Sequence, residues 1–118
     1  MNSQSDIFNF PGPGPTAKSQ KVYFNRPELN AILNIYGRMV AAGVWKDYAI
    51  EEGGEHIGFC VYKRASDVPD FTISKEPRLA KKQGAFTITA RGGNIIKRGK
   101  TLEGVLSHFR KQLMRLVD

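Results

Sequence analysis

Seven cations and no carboxylate fall in the stretch RLAKKQGAFTITARGGNIIKRGK, residues 78–100. Arg78, Lys81, Lys82, Arg91, Lys97, Arg98 and Lys100 are the side-chain types that grip phosphate, because each contact with a polyanion releases condensed counterions. Lys111 and Arg115 extend the series into the C-terminal segment. Other chemistry is thinly represented. His56 and His108 lie on different segments, with no Cys or carboxylate cluster at metal-ligand spacing, so no metal site is expected. Cys60 falls in the middle of a strand, where a lone cysteine is ordinarily a small packed residue and not a nucleophile. Asp47 and Glu51 share one strand face and are the best placed pair for acid–base work, yet surface carboxylates at such spacing are commoner than catalytic ones. The chain has no GxSxG, Walker-type or GxGxxG motif, and its glycine pairs at 53–54 and 92–93 suit hairpin turns. The expectation is a non-enzymatic protein without a cofactor.

The 118 residues suit one domain, and 41% hydrophobic with 25% charged residues is the balance of an ordinary globular protein. Net charge is +7, and its placement is uneven. Residues 1–77 hold eight Lys/Arg against nine Asp/Glu, whereas residues 78–118 hold ten against two. A basic C-terminal third favours a polyanionic partner, and electrostatic binding of RNA or DNA through residues 78–100 and the last helix is the leading reading. The alternative is a regulatory adaptor or homodimer that recognises an acidic protein partner. A lone cysteine suits a reducing compartment. No secretory leader and no membrane-length apolar run is legible, so a cytoplasmic protein that does not enter membranes is expected.

These side chains need elements to hold them. Residues 1–20, with their PGPGP segment, read as a flexible tail, in which Ile7, Phe8 and Phe10 form a short partner-docking motif. The domain then spans 21–118. Asn25, Pro27 and Glu28 make a helix start with a capping box, and Phe24 with Leu29 make a hydrophobic staple. Leu29, Ile32, Leu33, Tyr36 and Val40 recur at helical spacing, and Gly43 ends the helix, giving 26–42. From there the period is two. Strands flank Glu52–Glu55, with Ile57, Phe59 and Val61 on one face and His56, Gly58, Cys60 and Tyr62 on the other. A short strand near Asp70–Lys75 follows, and then a basic connection over Glu76–Gln83 with room for one helical turn.

The quoted stretch itself forms a hairpin. A three-residue loop at Gly92–Asn94 pairs Ala90 with Ile96 and Thr89 with Lys97, which keeps apolar residues together. Thr87, Thr89, Arg91 and Lys97 then point to water, and Arg98 points inward at a strand end. Thr101 caps a last helix, 102–116, whose stripe is Leu102, Val105, Leu106, Phe109, Leu113 and Leu116; Gly104, His108, Lys111 and Arg115 lie on its far side. Helix, antiparallel strands, helix is the order of an α+β fold, with a four- or five-stranded antiparallel sheet and both helices on one face. Gly37 and Gly104, inside helices, would permit close approach of a partner or a second subunit, with Tyr36, Met39 and Trp45 as candidate contact residues, although core packing is the commoner fate of each.

VYFNRPELNAILNIYGRMVAAGVWKDYAI, VPDFTISKEPRLAKKQGAF and KRGKTLEGVL together resemble a family of short alphaproteobacterial proteins catalogued as a domain of unknown function. The resemblance covers about residues 21–117 and implies a bacterial cytoplasmic protein. It implies no activity and no site residue.

Overall fold

Asn25 starts the first helix by exchanging two hydrogen bonds with Glu28. Its side-chain oxygen accepts from the Glu28 backbone N–H, and Glu28 Oε1 accepts from the Asn25 N–H, each at 2.8 Å. The computed structural model describes residues 21–117, and in it helix α1 runs Arg26–Ala41. The tail read over residues 1–20, with Ile7, Phe8 and Phe10, lies outside the described residues. Pro27 costs α1 nothing, because first-turn N–H groups have no internal partner. Gly43, at φ +77°, takes the left-handed conformation that turns the chain away after the cap.

Five strands follow: β1 (Asp47–Glu52), β2 (Ile57–Tyr62), β3 (Phe71–Lys75), β4 (Phe86–Ala90) and β5 (Ile95–Gly99). They form an antiparallel meander in the order β1-β2-β3-β4-β5. A 3-10 turn, Pro77–Leu79, fills the basic connection before β4, and helix α2 (Leu102–Val117) closes the chain. Register puts Phe59 beside Ile73 and Ile73 beside Ile88, so one sheet face is a continuous apolar surface. Both helices cover it. Ile32, Ile35 and Met39 of α1 and Val105, Leu106 and Phe109 of α2 are fully buried in the same core as Phe59, Val61 and Ile88. At 25 cal/mol per Å² of apolar area, each such side chain contributes about 1.5–3 kcal/mol. Trp45 joins the helices to the sheet, its ring edge-on to Phe109 at 4.9 Å. It is core, as is Met39, so neither is a subunit contact.

Three expectations change. The buried line of α1 is Ile32, Ile35, Met39, the i, i+3, i+7 series that points into the corner between sheet and α2. Val40 falls outside that line and is exposed. Leu116 is exposed as well, because α2 is about 24 Å long over strands of about 17 Å, and its last turn overhangs the sheet.

The third change matters most. The last hairpin turns at Arg91-Gly92-Gly93: Ala90 N–H donates to Asn94 O at 2.7 Å, and both glycines have φ near +90°. Thr89 then pairs with Ile95, Ile88 with Lys97 and Thr87 with Arg98, leaving Ile96 as a bulge. The inserted residue reverses the faces of the strand beyond it. Lys97 therefore lies on the helix-covered face and Arg98 on the outer one, opposite to the expectation. A lysine is tolerated beside Ile88 because its aliphatic stem packs while its head leaves at the sheet edge.

Candidate nucleic-acid interface

Beyond β5, on the side of α2, positive charge converges on one ring. His108 is half-buried, its imidazole edge-on to Phe109 with centroids 5.1 Å apart. Burial, and then the charges of Lys97, Arg115 and Lys111, hold its pKa below the ordinary 6.5. One cation comes from β5 and two from α2, one turn apart. They meet because α2 runs back along β5, packing Val105 against Gly99. His108 was expected on the far side of α2, and its position depends on how that helix is rolled against the sheet.

The base of β5 carries a second group. Gly84 (φ +95°) lets the loop bearing Lys81 and Lys82 approach the backbone of Gly99 and Lys100, where any Cβ would collide. Lys81, Lys82 and Lys100 are all exposed there. Arg98, opposite Thr87, adds a cation on the outer face of the same strand. Among the described residues, no carboxylate lies within ion-pair distance of Lys81, Lys82, Lys97, Arg98, Lys100, Lys111 or Arg115.

Two expected members are occupied elsewhere. Arg78 pairs with Glu76 at 2.6 Å and with Glu55 at 3.3 Å, bridging to the β1–β2 turn. Arg91 reaches Asp70 at 3.4 Å and Val68 O at 3.3 Å, tying the β4–β5 turn to the loop before β3. The surface is therefore the β5–α2 edge with the 81–82 loop, and Arg78 and Arg91 work as ties within the fold.

The other candidate chemistries are placed as follows. Cys60 is buried on the outer sheet face with Thr72 Oγ1 3.8 Å from its sulfur; burial pushes its pKa up, away from the thiolate. Asp47 and Glu51 point from the exposed edge strand β1 without a cleft between them, and the hollow beside Asp47, about 250 Å³, is lined by Tyr48, Ala49, Tyr62 and the 64–66 loop. Among the described residues, no three His, Cys, Asp or Glu side chains are grouped to hold a metal ion. No helix there is long and apolar enough to cross a membrane.

A family model described as "Protein of unknown function (DUF2794)" matches residues 22–106. That stretch runs from the last residues before α1 into α2, and so includes β5 and stops before Lys111 and Arg115. No curated protein and no solved structure matches the chain.

Proposed function

Since the chain belongs to the protein family of unknown function DUF2794, we propose its role from the geometry: it binds the phosphate backbone of RNA or DNA along the β5–α2 edge. The observation that carries this is the convergence of Lys97, Lys111 and Arg115 around a half-buried His108, with no carboxylate among the described residues to neutralise them. Lys100, Lys81 and Lys82 continue the track along the base of β5, and Arg98 widens it. Phosphate contacts of this kind position a backbone without reading bases. Among the described residues, the exposed aromatic side chains are Tyr23 and Tyr48, which lie away from β5, so these residues offer the cations no stacking platform. The binding is accordingly general in sequence.

This reading is non-enzymatic and places the protein in the bacterial cytoplasm, where a free thiol such as Cys60 stays reduced. Titration of mixed-sequence RNA and duplex DNA at several salt concentrations tests it. With Lys97, Arg98, Lys100, Lys111 and Arg115 engaged, log K falls against log salt with a slope near −4.5 on duplex and about −3.5 on single strands. Changing Lys97, Lys111 and Arg115 together to Glu removes binding and leaves the melting temperature nearly unaltered. Weak, salt-insensitive binding would instead favour the adaptor that docks an acidic protein.

A further inference from the structure

The two free edges of the sheet have opposite charge. β1 and the turn after it carry Asp47, Glu51, Glu52 and Glu55; Lys46 precedes the strand, and Arg78 pairs with Glu55 at 3.3 Å. β5 and the residue after it carry Lys97, Arg98 and Lys100 and no acid. Both edges also display large apolar side chains: Tyr48 and Ile50 on β1 are 46% and 43% exposed, and Ile95 and Ile96 on β5 are 53% and 38% exposed. All six residues of β1 are exposed, and among the described residues no strand pairs with its outer side. An edge strand offers a row of unpaired N–H and C=O groups to any second strand.

Charge decides which second strand fits. Laying β1 on β1, or β5 on β5, sets like charges opposite one another, which destabilises the pair. Laying β5 of one copy on β1 of another sets cations against acids, with Tyr48 and Ile50 on the same face as the Lys97 stem. We propose that this chain associates head to tail with a second copy, β5 of one adding to β1 of the next to continue the sheet. The first and fifth strands of an antiparallel meander run in the same direction, so a continuation that keeps all helices on one side pairs the two edges in parallel. Asp47 and Glu51 then share the outer face with Arg98, and Glu52 shares the helix-covered face with Lys97. Two different patches make the joint, so it is heterologous and leads to chains or rings, not to a closed pair.

Two single-edge variants test the idea without nucleic acid. Ile50→Lys places a cation among the acids of β1, and Ile95→Glu places an acid among the cations of β5. Both positions are exposed, and circular-dichroism melting verifies that each variant folds. Sedimentation velocity of the unaltered chain, from micromolar to near-millimolar concentration, should show salt-sensitive growth past the dimer. Each variant alone should stay monomeric. Their equal mixture should stop at a one-to-one heterodimer, formed at least about tenfold more tightly than either self-complex. A chain that stays monomeric throughout overturns the proposal, as does a variant that forms its own symmetric dimer or a mixture that fails to pair. Ile50→Lys leaves the basic edge unaltered, so RNA affinity measured on that monomeric variant reports on the nucleic-acid reading alone, whereas Ile95→Glu puts an acid into that edge and should weaken RNA binding as well.

Discussion

His108 is where single-residue chemistry and the candidate function meet. Its folded-state pKa lies below 6.5 because the ring is desolvated and faces Lys97, Arg115 and Lys111. The unfolded chain therefore takes up the proton more readily than the folded one. Stability is fully present above about pH 6.5 and falls as the pH drops through the lower folded value. A His108→Gln variant should show a flatter dependence of melting temperature on pH across that window; an unchanged slope would mean that the ring is not the titrating group. A bound phosphate chain would neutralise the surrounding cations, so adding RNA should raise the His108 pKa in a proton NMR titration. Asp70 behaves in the same sense at lower pH. The Lys63 backbone N–H, donating at 2.7 Å, and then the Arg91 guanidinium hold its carboxyl below 3.8. Its contribution is present above that value and is lost as the pH falls through the depressed one. Asp70→Asn keeps the shape and removes the charge, and should cost about 1–2 kcal/mol in a urea titration.

Among the elements, α1 rests on one carboxylate with two duties. Glu28 closes the capping box and also pairs with Lys75 of β3 at 2.8 Å, where both side chains are largely buried at 16% and 17% exposure. Asn25→Ala should cost about 1 kcal/mol, the usual loss of a cap. Glu28→Ala should cost more, about 2–3 kcal/mol, because it also strands a part-buried ammonium. Equal losses in chemical unfolding would show that the Lys75 pair contributes nothing. The capping box was readable from Asn25 and Glu28 because its partners are three residues apart, and the alternation of Ile57, Phe59 and Val61 was readable for the same local reason. The register of β4 and β5 was not. Pairing apolar with apolar gives the wrong face for Lys97, since the bulge at Ile96 depends on Gly92 and Gly93 both taking positive φ and on α2 lying where the lysine head can escape. No short-range pattern holds that information. The same holds for the Arg78–Glu55 and Arg91–Asp70 pairs, whose partners lie 21 or more residues apart in the sequence, although Arg78 also has Glu76 two residues away.

At the scale of the whole molecule, the sheet is a charge gradient. Acids gather on β1 and its turn, and β5 and α2 gather Lys97, Arg98, Lys111 and Arg115, which have no ion-pair partner among the described residues. The skew of charge toward residues 78–118 was visible in the sequence, but its acidic counterpart was not, because residues 1–77 are nearly neutral when summed. The meander separates what the chain order mixes: it carries Asp47, Glu51 and Glu52 to one edge and the hairpin cations to the other. Such a gradient steers a polyanion toward one side of the protein, so association should slow steeply as salt is added. Stopped-flow rates with RNA should fall steeply with ionic strength in the unaltered chain, and the Lys97, Lys111 and Arg115 to Glu variant should give no binding transient.

Backbone-amide chemical shifts of the monomeric Ile50→Lys variant, recorded during titration with a short mixed-sequence RNA at low salt, bear most directly on the basic edge. Movement confined to β5, the 81–82 loop and the His108–Arg115 face of α2, with β1 silent, is the predicted outcome. Shifts centred on β1 or the outer face of β2, or a spectrum that does not move at all, would contradict it.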